Sequence, residues 1–180
     1  SGLSGEGRMT EPDAIVDALI SALLGGSKLA GKRILINAGP TQEAIDPVRF
    51  ISNRSSGKMG YALAEAAQAR GAEVLLVSGP TALKPPAGLE FCPVTTAEEM
   101  HKAVMSRFTW SDTVIMAAAV ADFRPAQPAA QKLKKRQQPL TNLALTPTDD
   151  ILKELGERRT TQVLVGYAAE TQDLLAHARE

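Results

Sequence analysis

Runs of apolar, β-branched residues alternate with helix-forming stretches along most of this sequence, and that alternation restricts the fold more than any other feature. Four apolar runs, each short enough for one strand, are KRILINAGPT, EVLLVSGP, LEFCPV and TVIMAAAVAD. Two stretches are predicted helices. Residues 57–71 are rich in alanine and leucine and end in glycine, and residues 96–108 have Thr95 or Thr96 as their helix N-cap. This order predicts an α/β fold, a Rossmann-like parallel sheet with helices on both faces.

The segments outside this alternation set the predicted domain limits. Residues 1–12 are rich in glycine and serine and indicate a linker, and residues 13–29 have the apolar spacing of a lead-in helix. Residues 122–139 contain three prolines and a basic cluster, which predicts a long excursion without a core element. A strand, a helix and a further strand are predicted after it. Together these elements predict one nucleotide-binding domain over residues 30–180.

Composition excludes several classes of protein. The chain has 20 Lys and Arg against 20 Asp and Glu, so its formal charge of zero indicates neither a nucleic-acid nor an anionic-membrane partner. No apolar run approaches the ~20 residues that span a bilayer. The single cysteine, Cys92, follows Phe91 at a strand end and indicates an inert core thiol. These features predict a soluble cytoplasmic protein.

Functional residues are expected where the strands end, because parallel sheets bind ligands at their carboxyl edge. The stretch DPVRFISNRSSGKMG, residues 46–60, follows the first strand. It is not a P-loop, since Ser52 stands where that motif needs glycine and Met59 where it needs a hydroxyl residue. A G-x-G-x-x-G dinucleotide fingerprint is absent after the first strand, which counts against a nicotinamide-dependent enzyme.

The same stretch leaves three local alternatives open. Residues 55–57 precede a helix and can present free N–H groups to an anion, or a serine can simply cap a surface helix. Asn53 offers a donor and an acceptor to a ligand carbonyl, or it is a turn residue. Arg49 and Arg54 can grip a phosphate, or they are solvated like most surface arginines.

Four motifs together carry a family resemblance: AGPTQEAIDPVRFISNRSSGKMG, MAAAVADFRP, QKLKK and VGYAAET. They resemble successive motifs of bacterial phosphopantothenoylcysteine synthetase, also called phosphopantothenate–cysteine ligase, from about residue 30 to residue 178. GEGRMTEPDAI near the start resembles the tail of the decarboxylase to which the bacterial synthetase is fused, with Ser1 where that tail has cysteine. The family continues past AHARE with a lid lysine segment, so the resemblance implies a C-terminally truncated piece whose activity is open.

The resemblance implies a reaction in two steps. CTP first converts 4'-phosphopantothenate to an acyl-cytidylate with loss of pyrophosphate, and L-cysteine then forms the amide with loss of CMP. Asn53 holds the acyl-cytidylate, Lys132 reaches the CTP phosphates, and both are expected to be catalytic. Arg49, offered across a homodimer interface, binds the phosphate of phosphopantothenate, and Ala118 and Ala119 contact the same substrate.

The resemblance also implies a set of CTP-binding residues and Mg²⁺ as cofactor. Asp122 is the expected metal ligand, and the backbone at residues 116–118 is expected to read the cytosine edge. Tyr167 stands where the family usually has phenylalanine, and TPTDD, residues 146–150, departs from the usual Asn-Pro-Asp. The expected nucleotide-binding residues are Gly39, Ser55, Ser56, Gly57, Lys58, Met59, Met116, Ala117, Ala118, Asp122, Lys132, Thr146, Pro147, Thr148, Asp149 and Tyr167.

Two rival functions remain at this level. A nicotinamide-dependent reductase can use a similar sheet, although the missing glycine fingerprint counts against it. The chain can also be a non-catalytic assembly module, because synthetase halves of this family dimerise and organise the fused decarboxylase.

Overall fold

A computed structural model of the chain describes residues 28–135 and 142–167. The strands in chain order are Arg33–Ala38 (β1), Gln42–Ala44 (β2), Phe50–Ser52 (β3), Glu73–Ser78 (β4), Glu90–Pro93 (β5), Thr113–Met116 (β6), Phe123–Pro125 (β7), Leu145–Pro147 (β8) and Val163–Gly166 (β9). The helices are Lys58–Gln68 (α1), Ala97–Arg107 (α2) and Ile151–Arg158 (α3). The predicted linker and lead-in helix, and the chain after residue 167, lie outside the described residues.

The central sheet has five parallel strands in the order β5-β4-β1-β6-β9. From β1 the chain moves outward through β4 to β5, and it then returns to the other side of β1 for β6 and β9. The strand order therefore reverses between β1 and β6, which is where ligands bind in open α/β sheets. The predicted Rossmann-like α/β class is confirmed.

Each face of the sheet buries one set of alternating side chains, because successive residues of a strand point to opposite faces. Ile34 and Ile36 of β1 pack against α1, whereas Leu35 between them packs with residues of α2 and α3. Alanines give α1 a narrow face, and at Gly60 an added Cβ would lie 2.5 Å from the Cβ of Ala38. The close fit of α1 on β1 therefore requires glycine at this position.

The structure shows which residues cap the starts of α2 and α3. Thr96, not Thr95, is the N-cap of α2: its hydroxyl accepts the N–H of Glu99, whose carboxylate in turn accepts the N–H of Thr96. Asp150 caps α3 by accepting the N–H of Lys153 at 3.0 Å. Both starts follow from local sequence, because each capping side chain reaches a backbone group three residues away.

Two sequence expectations are incomplete. The stretch between the first strand and α1, in which no strand was predicted, contains the antiparallel hairpin β2–β3. Residues 122–139, expected to lack a core element, contain β7, which pairs with β8 outside the central sheet, and Pro125 at its end is buried. The fourth predicted strand, β6, ends at Met116, and the rest of the run TVIMAAAVAD continues as a loop. Strands of three residues are too short to show the alternation of side chains that identifies a strand. Proline fits in a two-stranded ribbon because the backbone N–H groups on the outer edge of each strand pair with no other strand.

Two further findings concern membrane-spanning helices and the environment of Cys92. Within the described residues, no helix is long and apolar enough to cross a membrane. Cys92 is partly exposed and packs at the edge of the core cluster on the α2 side instead of inside it.

Candidate functional site

Three loops meet at the carboxyl edge of the sheet with almost no space between them. An added Cβ on Gly39, after β1, or on Gly57, before α1, would lie 2.8 Å from Cγ2 of Thr81. At Gly79, after β4, it would lie 1.7 Å from the carbonyl oxygen of Pro40. Gly39 and Gly57 also have φ values of 74° and 76°, which favour glycine. The glycines therefore bring the start of α1 directly against the loop after β1.

The start of α1 lacks an ordinary serine cap. Gly57 is the N-cap residue and supplies no side-chain hydrogen bond. The hydroxyls of Ser55 and Ser56 accept the N–H groups of Gly57 and Lys58 at the long distances of 3.3 and 3.5 Å. Lys58 and Met59 are exposed, and the first turn contains no acidic residue. This geometry favours the anion-binding alternative, because weakly bonded N–H groups and the positive end of the helix dipole meet there.

The loop after β6 is held from inside by Asn37, which sequence reasoning missed. This buried side chain lies at the end of β1, and its Oδ1 accepts the N–H groups of Ala117 and Ala118 at 2.7 and 2.9 Å. The carbonyl oxygen of Met116 accepts the N–H of Tyr167 at 3.3 Å. Two N–H groups of this loop and the carbonyl oxygen just before it are therefore already hydrogen-bonded within the chain. The available signal was a polar residue inside the apolar run RILINA.

Two threonine hydroxyls hold the rest of this loop. Oγ1 of Thr41 accepts the N–H of Ala121 at 2.9 Å, and Oγ1 of Thr148 donates to the carbonyl oxygen of Ala121 at 2.6 Å. The N–H of Thr148 donates to the carbonyl oxygen of Asp122 at 2.9 Å. The structure thus brings the expected nucleotide segment at residues 146–149 next to the expected metal ligand Asp122, whose side chain is exposed.

Asn53 makes a long-range contact that a simple turn residue does not need. Its Nδ2 donates to the carbonyl oxygen of Val120 at 2.9 Å and, more weakly, to that of Ala119 at 3.4 Å. Ser52 just before it donates its hydroxyl to the carbonyl oxygen of Thr41 at 2.7 Å. The end of β3 is therefore tied to the loops after both β1 and β6, and Asn53 lies between them in an exposed position.

Arg49 is bound within the chain. Its Nε donates to Oδ2 of Asp46 at 3.0 Å, its Nη2 contacts the same oxygen, and Nη2 also donates to the carbonyl oxygen of Leu133 at 2.8 Å. Together with backbone N–H donors, the Arg49 guanidinium holds the pKa of the Asp46 carboxyl well below its usual range. Lys132 precedes Leu133 and is exposed, so this contact brings the expected catalytic lysine toward Arg49.

A cleft of about 440 Å³ opens beside the β7–β8 ribbon. Within it, Lys102 pairs with Glu98, while His101 contacts Glu154 at 2.6 Å and thereby holds the pKa of the Glu154 carboxyl below its ordinary value. The lining residues are Glu98, His101, Lys102, Arg124, Pro147, Thr148 and Asp149. Three residues of the expected nucleotide segment therefore border a cleft that Lys102 and Arg124 line with positive charge and that Glu98 and Asp149 line with negative charge.

The expected site residues differ in how far the structure brings them together. Gly39 lies against Gly57, and Ala119 contacts Asn53. Thr146 lies in β8, paired with Arg124. The ring of Tyr167 is about half exposed where β9 ends. The described residues contain no group of three or more His, Cys, Asp or Glu side chains placed to hold a metal.

Comparison with known proteins gives one family and several close relatives. Residues 29–180 match the family described as DNA/pantothenate metabolism flavoprotein C-terminal domain. The coenzyme A biosynthesis bifunctional protein CoaBC of Bacillus subtilis (strain 168) is 53% identical over 99% of this chain and 45% of that protein. A cysteine/cysteine sulfinic acid decarboxylase from an unknown prokaryotic organism is 48% identical over 99% of this chain and 51% of that protein.

A solved structure of the C-terminal domain of a coenzyme A biosynthesis bifunctional protein CoaBC is also similar. It is 50% identical to the chain, with a TM-score of 0.74, over 84% of this chain and 71% of that structure. The chain spans about half the length of the curated relatives it matches.

Proposed function

The chain belongs to the family of DNA/pantothenate metabolism flavoprotein C-terminal domains, and we propose that it catalyses the CTP-dependent ligation of 4'-phosphopantothenate with L-cysteine in coenzyme A biosynthesis. The contact of Asn53 with the loop after β6 is the observation that carries this proposal. It joins the two longest motifs of the resemblance at the point where the strand order reverses. A relative 53% identical is named for coenzyme A biosynthesis, which agrees with the proposal.

The proposed reaction has two steps with different charge requirements. In the first, the carboxylate of phosphopantothenate attacks the α-phosphorus of CTP, and the bond to pyrophosphate breaks. In the second, the neutral amine of cysteine attacks the acyl carbonyl, the amine loses a proton, and CMP leaves. Cations must stabilise the phosphates in the first step, and hydrogen-bond donors must stabilise the carbonyl oxygen in the second.

Two features of the chain serve the first step. The start of α1 lies against the loops after β1 and β4, and its first N–H groups can bind the triphosphate there. Lys132 is held near Arg49 through Leu133 and adds a point charge for the leaving pyrophosphate. Mg²⁺ bound with the nucleotide would supply further positive charge, and Asp122 is the exposed carboxylate that fits it.

Asn53 serves the second step. Its hydrogen bond to Val120 is short enough to hold the side chain in place, whereas the 3.4 Å contact with Ala119 is weak. An acyl carbonyl oxygen can therefore replace the carbonyl oxygen of Ala119 as an acceptor for Nδ2 while the bond to Val120 persists. The amide would then stabilise the oxyanion that forms when the amine attacks.

Asn37 limits which backbone groups of the loop after β6 can bind the cytosine base, because it already binds the N–H groups of Ala117 and Ala118. Backbone carbonyl oxygens of this loop can accept hydrogen bonds from the exocyclic amino group of cytosine. Adenine also carries such an amino group, so the expected preference for CTP over ATP depends on the family resemblance. Family membership gives no support to the nicotinamide-dependent reductase.

A homodimer is part of the proposal. Phe50 of the β2–β3 hairpin and Phe123 of the β7–β8 ribbon are each 52% exposed, and Val48 and Leu145 on the same two hairpins are also exposed. Strands β2 and β7 of the two hairpins lie against each other, and we infer that these exposed side chains contribute to one apolar surface near Arg49. A second copy that covers this surface would place its own Arg49 near the site. The Bacillus relative is named as a bifunctional protein, and the family resemblance implies a fused decarboxylase domain as a further partner.

Light scattering tests the dimer. We expect a dimer for the wild-type protein and a monomer for Phe123→Ser, whereas Val163→Ser, which changes an exposed apolar residue of β9, should remain dimeric. A wild-type monomer at high protein concentration would remove the cross-subunit role of Arg49.

The ligation itself is tested with purified protein that carries this chain. The protein is incubated with phosphopantothenate, cysteine, Mg²⁺ and either CTP or ATP, and amide, nucleoside monophosphate and pyrophosphate are quantified. We expect the three products in equal amounts with CTP and much slower formation with ATP. Equal rates with the two nucleotides would defeat the CTP assignment, and absence of amide with both would defeat the proposed function.

A further inference from the structure

Asp46 is a buried carboxylate that the proposed mechanism does not use. It lies in the turn between β2 and β3, and the residue is 3% exposed. Its Oδ1 accepts the N–H groups of Val48 and Arg49, both at 2.9 Å. Its Oδ2 accepts Nε of Arg49 at 3.0 Å, a second contact from Nη2 of Arg49, and the N–H of Leu133 at 3.1 Å. These donors hold the side chain as an anion.

The two oxygens of Asp46 have different structural consequences. The bonds to Oδ1 close the turn over residues 46–49, which is a common local role of aspartate. The bonds to Oδ2 reach Leu133, 87 residues further along the chain. A turn-closing role explains the first set of contacts and leaves the second unexplained.

Residues 129–135, here named the basic strap, depend on these contacts for their position. The strap contains Lys132, Lys134 and Lys135 and has no helix or strand of its own. At Leu133 the N–H binds Oδ2 of Asp46, and the carbonyl oxygen accepts Nη2 of Arg49 at 2.8 Å. Both polar groups of one backbone unit are therefore fixed by one ion pair.

A second tie fixes the start of the strap. The N–H of Ala129 donates to the carbonyl oxygen of Ile45 at 2.9 Å, one residue before Asp46. The strap is thus attached to the β2–β3 turn at two points four residues apart in its sequence. Lys132 lies between these points, so the direction in which its side chain leaves the backbone is set by the turn.

We propose that Asp46 is a positioning residue that orders the basic strap and places Lys132 beside Arg49 for binding the phosphates of the nucleotide. The placement of the strap follows from the contacts of Asp46 alone, and only the identity of the nucleotide rests on the proposed function. Nε and Nη2 of Arg49 are used inside the chain, and its side chain is 40% exposed, so Nη1 is the nitrogen that can meet a further anion.

The substitution Asp46→Asn separates the two roles. Asparagine keeps an oxygen that can close the turn, but its NH₂ group must face the N–H of Leu133 and the guanidinium of Arg49. Those donors cannot bind another donor, so the strap should detach while the turn persists. Asp112→Asn is the matched control, because Asp112 also binds an arginine through a backbone and a side-chain contact, at the opposite edge of the sheet.

Limited trypsin digestion followed by mass spectrometry measures the strap directly. We expect cleavage after Lys132, Lys134 and Lys135 to become about tenfold faster in Asp46→Asn, because loss of a charge-assisted tie favours local opening. Cleavage after Lys153 in α3 reports global unfolding and should not change. In Asp112→Asn cleavage of the strap should stay at the wild-type rate. Equal cleavage of the strap in the two variants would overturn the proposal.

Calorimetric titration with CTP and Mg²⁺ tests the effect on Lys132. Asp46→Asn and Lys132→Ala should each weaken binding, and the double variant should bind no more weakly than Lys132→Ala alone, because Lys132 acts only when the strap is placed. Losses that add in the double variant would overturn the positioning role. Absence of CTP binding by the wild type would instead defeat the proposed function, and the digestion would still decide whether Asp46 orders the strap.

Discussion

Replacement of Asn53 by aspartate is expected to block the second step of the reaction and spare the first. In the structure Nδ2 of Asn53 lies 2.9 Å from the carbonyl oxygen of Val120 and 3.4 Å from that of Ala119. A carboxylate oxygen at the same place has no hydrogen to donate and is repelled by both carbonyls. We therefore expect the substituted side chain to turn away from the loop and to leave the acyl carbonyl without its donor.

The two consequences of this change differ in size. Loss of one donor to a developing oxyanion costs about 3 kcal/mol, which is roughly a hundredfold in the rate of amide formation. The loss of folding stability should be smaller, about 1 to 2 kcal/mol for two net hydrogen bonds at an exposed position. CTP binding should change little, because the start of α1 and Lys132 are intact.

The assay follows pyrophosphate, acyl-cytidylate and amide separately after the Asn53→Asp protein is mixed with phosphopantothenate, labelled CTP and cysteine. We expect a normal release of pyrophosphate and an accumulation of acyl-cytidylate. Asn142→Asp makes the same chemical change at another exposed asparagine and should behave as the wild type. Normal amide formation by Asn53→Asp would refute the reasoning, and loss of pyrophosphate release would place Asn53 in the first step.

Three further predictions concern the nucleotide, the packing and the pH dependence of stability. Lys132→Ala should weaken the binding of both CTP and ATP in calorimetry, whereas Lys32→Ala, at the opposite edge of the sheet, should not; equal losses would refute a specific phosphate contact. Gly60→Ala should lower the free energy of unfolding by about 1 to 3 kcal/mol in denaturant titrations, because its Cβ would lie 2.5 Å from that of Ala38; an unchanged midpoint would contradict this close fit. Contacts from the paired arginine, first from its backbone N–H, lower the pKa of Asp112. The wild type should therefore be more stable than Asp112→Asn at pH values above the unfolded pKa of about 3.9, and this difference should disappear as the pH falls through the lowered pKa of the folded state. A difference in thermal unfolding that does not change with pH would contradict this assignment.

Elements with a long and regular pattern could be predicted from the sequence. The strands β1 and β4 are continuous apolar runs, and α1 lies between glycines in a stretch of alanine and leucine. The strands β2, β3, β7 and β8 were not predicted in their final arrangement, because three residues show no period and their pairing partners are set by tertiary contacts. Periodicity therefore predicted the central layers but not the hairpins that carry the site.

The candidate site likewise contains residues that the sequence identified and residues that only the structure showed. Arg49, Asn53 and Lys132 were named from motifs, whereas Asn37 and Asp46 were not. Asn37 binds backbone N–H groups 80 and 81 residues away, and Asp46 binds a backbone N–H 87 residues away. A local sequence pattern cannot show such contacts, because they depend on how the loops fold back over the sheet edge. The motifs thus identified the exposed residues, and the structure added the buried ones that hold them.

The central claim is that the reaction passes through an acyl-cytidylate, and it is tested most directly when cysteine is withheld. The protein is incubated with phosphopantothenate, CTP and Mg²⁺, and the mixture is analysed by mass spectrometry before and after cysteine is added. We predict phosphopantothenoyl-CMP and an equal amount of pyrophosphate before the addition, and amide and CMP after it. Formation of CDP with an acyl phosphate, or the absence of any acyl-nucleotide before cysteine arrives, would contradict the account.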